Sequence, residues 1–493
     1  MDSNIKPSND VQVYIVLGYS NDLIKRFANW LNKKKHYLVV LDTKIPLSAQ
    51  KSNLPNLFIE EINELHIVNK LSELAWRFVF LNIELVVLDS FKEEGLANLV
   101  KEKWQEIKTG THLSASAFAD FQLPDLVSAM ENIHEEIKFS SLNNLEGCLS
   151  KVPAIICGAG PSLDESFFKM GEKALIFSGG SALNALSYAP HFIGLTDSQT
   201  PTGFFKKSFN ESMLFFSLKA PSEILRKPFK QKFLCFSKER YLFFRWIVEK
   251  IGVDFDPIDT GWSTVTFLTA LAVYFGCDPI IFNGVDLSFK AKKIYADNVP
   301  KISYRKKQSK EFIKVKGKNK DIIKTQNDWL MSAFFLQKLT GANLSTTFYS
   351  ASQEGLSLGE NVKPFRMEQL DCFETINIKE KLKHFESRPI FALKKELNLQ
   401  IIDLINAEEK TVENTLVELE RMFNGQIKEI EPKKASWCEE NVLKILWDIF
   451  KLVILRDEKR DENFSFKKKV HKTLFYKDVI AKHKIQLKKY SNV

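Results

Sequence analysis

Apolar and polar positions alternate along the first hundred residues in a way that predicts a small α/β unit. Residues 11–17 (VQVYIVL) form a nearly unbroken apolar run closed by Gly18, the pattern of a buried strand. Residues 22–33 place Leu23, Phe27, Trp30 and Leu31 on one helical face. Further strands are predicted at 36–42 and 83–89, with a helix over 62–80 between them. Strands that alternate with helices favour a parallel sheet. Residues 114–149 read as a polar helical bridge between two domains, broken at Leu123-Pro124.

The central pattern is longer. An apolar strand at 152–157 runs into Gly158-Ala159-Gly160-Pro161-Ser162, and a helix is predicted from about Leu163. Strands follow at 174–178, 192–196, 212–217, 232–237 and 278–283, the last closed by Gly284-Val285-Asp286. Short and long helices are predicted at 182–188 and 265–275, the second opened by Thr260-Gly261-Trp262-Ser263-Thr264. The sum is a doubly wound, Rossmann-like α/β pattern. Between 290 and 324 lysines outnumber acids, which reads as an exposed insertion. A helix at 327–339 and a segment at 342–349 lead into Ser352-Gln353-Glu354-Gly355. Beyond 364 the pattern is helical, with helices at 401–422 and 437–456 and a Lys-rich tail. The predicted organisation is an N-terminal α/β domain over 1–110, a helical linker over 111–150, a Rossmann-like domain over 151–364 and a helical C-terminal domain over 365–493.

Composition narrows the class. The chain has 493 residues, 44% hydrophobic and 27% charged, which fits a folded protein of two or three domains. A net charge of +9 mildly favours anionic partners. It falls short of the concentrated basic stripe of a nucleic-acid binder, so none is expected as partner. Cys148, Cys157, Cys235, Cys277, Cys372 and Cys438 lie far apart, without a Cys-x-x-Cys pair or a Cys/His cluster, which argues against zinc and against a disulfide framework. The first residues lack the basic and apolar regions of a signal peptide, and no apolar run reaches membrane-spanning length. The expected compartment is the cytoplasm.

The candidate chemistry lies at strand ends. A strand followed directly by GAGPS and a helix is a plausible phosphate seat, because glycines let the backbone approach and a helix amino end favours an anion. The alternative is a tight turn with Ser162 as cap. The TGWST turn is a second such helix start, with capping by Ser263 or Thr264 as its plainer explanation. Asp197 and Asp286 each follow an apolar strand, where α/β sheets place ligand groups; each is also a residue that loops use to cap themselves. His191 reads as a loop residue before a strand. The remaining histidines lie outside the central unit, so no obvious histidine base exists.

Taken in order, VPAIICGAGPSLDES, ALIFSGGSALNAL, APHFIGLTDSQ, GWSTVTFLTALAVYFGCDPIIFNGVDLSF, KIYADN and TQNDWLMSAF resemble the motility-associated factor (Maf) glycosyltransferases, which share a 6-hydroxymethylpterin pyrophosphokinase MptE-like domain. The resemblance covers roughly 150–365. The same block is similar to bacterial sialyltransferases. The resemblance implies donor-binding roles for Gly158, Gly160, Pro161 and Ser162, for Gly261, Ser263 and Thr264, and for Gly284 with Asp286. It places Tyr295 where a tyrosine contacts the leaving phosphate. Two positions depart from that pattern: Ala159 replaces a nucleotide-contacting Asn, and Ser288 replaces a second tyrosine.

The activity so implied is inverting transfer of a CMP-activated nonulosonic acid, a sialic-acid-like sugar, to Ser or Thr of an acceptor protein such as flagellin. Tyr295 would stabilise the leaving phosphate, Asp197 or Asp286 would act as base, and neither cofactor nor metal is required. A different chemistry is implied by the likeness to 6-hydroxymethyl-dihydropterin diphosphokinases, which would use ATP and Mg²⁺ with Asp197 and Asp286 as metal ligands. A third possibility is a nucleotide-binding module that has lost turnover.

Overall fold

The computed structural model describes residues 5–431, except 34, 47–48, 50–53, 55, 164–171, 238–241, 290–294, 297–298 and 300–311, together with 473–474, 477, 480–481 and 484–485. The helix expected after GAGPS and the helix expected at 437–456 lie outside the described residues. The chain divides into two compact units, one ending at Ala119 and one beginning at Asp120.

The first unit is a four-stranded sheet with helices. Its elements are β1 (Val13–Leu17), α1 (Asn21–Leu31), β2 (Tyr37–Asp42), β3 (Leu57–Glu61), α2 (Ile67–Arg77) and β4 (Ile83–Val87). The sheet order is β3-β2-β1-β4, parallel throughout. All five residues of β1 are buried, as the apolar run predicts. Strand β3 was not legible in its sequence, LFIEE, because it is an edge strand with half-buried positions and two acids. It occupies the stretch before the expected 62–80 helix, and a turn over 64–66 follows it, so that the helix spans only Ile67–Arg77.

Helix α3 (Glu94–His134) runs through Pro124 without the break that Leu123-Pro124 predicts. Residues 138–149 are not helical: β5 (Lys138–Phe139) and turns fill that stretch.

The second unit holds an eight-stranded sheet. In chain order come β6 (Ala154–Cys157), β7 (Leu175–Gly179), α4 (Ala182–Ala185), β8 (Phe192–Leu195), β9 (Phe209–Phe216), α5 (Ser222–Leu225), β10 (Phe229–Leu234) and α6 (Leu242–Ile251). Then follow α7 (Thr264–Tyr274), β11 (Ile280–Asn283), β12 (Ile313–Lys316), β13 (Ile322–Thr325), α8 (Asn327–Ala342), β14 (Phe348–Ser350) and β15 (Val362–Pro364). The chain closes with α9 (Ile378–Glu386), β16 (Phe391–Ala392) and α10 (Glu396–Phe423). The sheet order is β10-β9-β8-β7-β6-β11-β14-β15 and every pairing is parallel.

Alternation within β6 feeds two cores. Ala154 and Ile156 join Phe177, Phe192 and Phe215 on one face, covered by Phe267, Leu271 and Phe275 of α7. Ile155 and Cys157 join Ile176 and Ile281 on the other, covered by Phe365, Met367 and Leu370. Helix α9 contributes Ile378, Leu382 and Phe385 to the first of these cores. The fold is thus α/β with a Rossmann-like doubly wound sheet. Strands β12 and β13 form an antiparallel hairpin inside the segment that composition marks as an exposed insertion.

Candidate functional site at the carboxyl edge of the large sheet

The strand order defines where a site can form. The chain enters the sheet at β6 and adds β7 to β10 on one side. It then returns to place β11 on the other side of β6. The loops after β6 and β11 flank this switch point, and it is there, at the carboxyl ends of the strands, that a ligand crevice is expected. Those two loops are GAGPS and Gly284-Val285-Asp286.

The two loops are bonded to each other. Gly158 N–H donates to the Asn283 carbonyl and Gly160 N–H to that of Gly284, both at 2.8 Å. Ser162 N–H donates to Asp286 Oδ2 at 2.9 Å. A Cβ on Gly158 would stand 2.4 Å from the Gly284 carbonyl oxygen, and one on Gly160 would stand 2.2 Å from Asp286 Oδ2. Gly284 adopts φ +69°, a left-handed conformation that glycine takes without strain. Glycine is thus required because two backbones meet. Of the five residues 158–162, Pro161 has no N–H, and only the Ala159 N–H makes no hydrogen bond among the described residues. The carboxylate seated on this turn is the protein's own Asp286, which is buried.

The loop after β14 closes the third side. Ser162 and Ser352 hydroxyls share a hydrogen bond of 2.6 Å. Leu356 N–H donates to the Asp286 carbonyl at 3.0 Å, and Gly355 lies so close that a Cβ would meet that oxygen at 2.2 Å. The β12–β13 turn lies against this loop: Lys318 N–H donates to the Gly355 carbonyl at 2.9 Å and Asn319 to that of Gln353 at 3.0 Å. The Lys318 ammonium bonds the Ser352 carbonyl. Burial holds this lysine below its ordinary value, against the opposing attraction of Asp286 and Glu354.

The backbone beside Tyr295 reaches the same place. Its neighbour Ala296 donates to the Ala159 carbonyl at 3.0 Å, which ties this segment to the GAGPS turn. Tyr295 is 40% exposed, and partial burial, then the Asp328 carboxylate, raise the phenol above its usual range. The phenol therefore keeps its proton near neutrality.

The TGWST turn caps α7. Ser263 accepts from Thr266 N–H at 3.3 Å, while the Thr266 hydroxyl accepts from the Trp262 and Ser263 N–H groups at 3.0 and 2.9 Å. Gly261 takes φ +59° to make the turn. Capping therefore occupies Ser263. Thr264 sits over the ends of β7 and β8: a Cβ on Gly179 would stand 2.4 Å from its methyl group. Its hydroxyl makes no hydrogen bond among the described residues.

Asp197 is placed apart. It is exposed after β8, three strand positions from β11, a separation of about 14 Å at ordinary strand spacing. Its Oδ1 accepts from Gln199 N–H at 2.9 Å, a turn of the Asx kind. Beside it Ser198 donates to Asp125 of α3 at 2.5 Å, and Lys219 meets the same carboxylate at 3.2 Å. Among the described residues no three His, Cys, Asp or Glu side chains come together as metal ligands. A cavity of about 390 Å³ lies at the opposite edge of the sheet, by Pro153, Pro279 and Thr347, away from this crevice.

Sequence reasoning missed Ser352, Gly355, Lys318 and Asp125. For Lys318 a signal was present: the alternating IKVK and the β-prone IIK flank Gly317-Lys318-Asn319-Lys320-Asp321, a Gly/Asn/Asp turn between two short runs and the mark of a hairpin.

Residues 128–292 match the family model described as 6-hydroxymethylpterin diphosphokinase MptE-like, about a third of the chain. Comparison with curated proteins gives no match. Among solved structures the chain is similar to the Maf glycosyltransferase from Magnetospirillum magneticum AMB-1. The identity is 16%, the match covers 97% of this chain and 79% of that one, and the TM-score is 0.54. Both findings agree with the resemblance carried by the sequence motifs. The structural likeness extends to the fold of nearly the whole chain.

Proposed function

We propose that this protein is a glycosyltransferase whose crevice between β6 and β11 binds a CMP-activated nonulosonic acid. It transfers the sugar to a Ser or Thr hydroxyl of an acceptor protein such as flagellin, in the cytoplasm. The observation that carries the reading is the junction of the two switch-point loops through Ser162 and Asp286. It lies within the segment matched by the family model, on a fold shared with a Maf glycosyltransferase.

The chemistry asks for few parts. The acceptor oxygen attacks the anomeric carbon, the bond from that carbon to the phosphate oxygen breaks, and its electron pair leaves with CMP. The acceptor proton passes to a base. Attack from the face opposite the leaving group inverts the anomeric centre. Asp286 is the better-placed base: one oxygen is held by Ser162 N–H, while the other makes no hydrogen bond among the described residues. Asp197 is engaged in its own turn. The protonated Tyr295 phenol donates to the phosphate as charge grows there. Thr264 and the amino end of α7 supply further donor contacts.

A second reading follows from the family model's description, a 6-hydroxymethylpterin diphosphokinase; such an enzyme would use ATP and Mg²⁺. Against that ion speak the Lys318 ammonium near Asp286 and the place of Asp197 three strand positions from β11, about 14 Å at ordinary strand spacing.

Calorimetric titration with CMP, CDP and ATP, each with and without Mg²⁺, separates the two. Metal-independent CMP binding that Ser162→Trp abolishes is the expected result. Mg²⁺-dependent ATP binding without a CMP signal would sink the transferase reading. Binding without transfer from any CMP-sugar would mark a module that has lost turnover.

A further inference from the structure

Resting on the transferase reading above, we propose that Lys318, at the tip of the β12–β13 hairpin, is the cationic residue that receives the donor's leaving phosphate. Four observations place it there. Its hairpin is fastened to the loop after β14 at three points: the Lys318 N–H, the Asn319 side chain and the Lys318 ammonium. The ammonium bonds the carbonyl of Ser352, whose hydroxyl holds that of Ser162 at 2.6 Å, so it stands one residue removed from the GAGPS turn. The hairpin's second strand is tied to the loop after β11, since Thr325 donates to the Leu287 carbonyl at 2.7 Å. Asp286 attracts the ammonium through space without forming a direct ion pair.

An ammonium has three donors and one is used on Ser352. The other two remain for an anion at the crevice. The transfer step needs a cation there: the phosphate linking the sugar to CMP carries one negative charge, and CMP leaves carrying the electron pair of the broken bond, with a second. The turn amides meet little of that demand: the Gly158, Gly160 and Ser162 N–H groups are already paired within the protein, and the remaining Ala159 N–H carries no full charge. The site thus takes its positive charge from a side chain in the inserted hairpin. Burial, which lowers the lysine's affinity for its proton, also strengthens its interaction with a phosphate.

The test uses the full chain with Lys318→Gln, which keeps a donor for the Ser352 carbonyl but removes the charge. Lys318→Arg restores the charge. Lys314→Gln, an exposed lysine of the same hairpin, is the control. Calorimetry measures CMP, cytidine and inorganic pyrophosphate. The expected result is a loss of CMP affinity of roughly tenfold or more in Lys318→Gln, from the missing charge-assisted bond. Cytidine affinity stays unchanged, and Lys318→Arg recovers most of the loss. Wild-type CMP affinity should decline at alkaline pH as the lysine deprotonates, a limb absent from Lys318→Gln. CMP binding by Lys318→Gln equal to wild type overturns the assignment, as does failure of the wild type to bind any of these anions. Pyrophosphate binding that depends on Lys318 while CMP does not bind keeps the assignment and overturns the CMP reading.

Discussion

At Gly160 one added carbon would stand 2.2 Å from Asp286 Oδ2 and 2.7 Å from the Gly284 carbonyl. Gly160→Ala is therefore expected to force the two loops apart, to cost about 3 kcal/mol of stability and to abolish CMP binding. Urea denaturation and calorimetry on the same preparation check both. The motif GAGPS was legible in the sequence, but its reason was not. Composition suggests amides free for an anion, whereas the glycines admit a neighbouring backbone 126 residues away in the chain, as at Gly158 and Gly284. His191 shows the same limit. Its Nδ1 accepts from Ile176 N–H at 2.9 Å, and burial depresses it to about 4, so the ring is neutral and structural. A depressed histidine binds fewer protons folded than unfolded between its two values. Its contribution is therefore whole above about 6.5 and is lost as pH falls towards 4, with a slope of at most about 1.4 kcal/mol per pH unit. His191→Asn, which keeps an acceptor and removes the titration, should flatten the acid limb of a stability–pH curve.

Within elements, the start of α7 depends on one hydroxyl. Thr266 accepts from two N–H groups and donates to the Thr260 carbonyl at 2.9 Å. Thr266→Val keeps the shape and strands both donors, so a loss of about 2 kcal/mol is expected by chemical denaturation. The helix and its turn were legible, since Ser263 precedes an apolar run; the organising role of Thr266 was not, because it arises from the fold of the turn. In α10 the stripe Leu397, Ile401, Ile405, Val412 and Leu419 is interrupted by Glu408, which is fully buried with neither oxygen hydrogen-bonded among the described residues. Burial raises this carboxyl to about 8 from an ordinary value near 4.5. A raised carboxyl is neutral in the fold and ionised in the unfolded chain, so stability is whole below 4.5 and falls as pH rises to about 8. Glu408→Leu should therefore stabilise by about 2–3 kcal/mol at pH 7.5, with the gain shrinking by pH 5. Pro124 taught the converse. It predicts a break, yet α3 continues, and the next residue, Asp125, is anchored by Ser198 and Lys219. A local rule gives way where tertiary bonds hold the backbone on.

Over the whole molecule, alternation of strands and helices was readable because parallel strands are apolar throughout and helices are not. The order of the eight strands was not readable, since each would pair with any other; the switch point and its crevice emerge only from that order. All the residues of this crevice belong to the larger unit. CMP at a hundred times its Kd is thus expected to add about 2.7 kcal/mol to the opening of amides in that unit. Hydrogen exchange in β1 and β2 should stay unchanged. The bond between Ser162 and Ser352 spans 190 positions of sequence. At ordinary elongation rates the ribosome needs roughly 10 to 40 s to make that stretch. During that time Ser162 exists without its Ser352 partner, so no nascent or prematurely terminated chain lacking Ser352 holds a finished crevice. The crevice is completed only when the loop after β14 has been made.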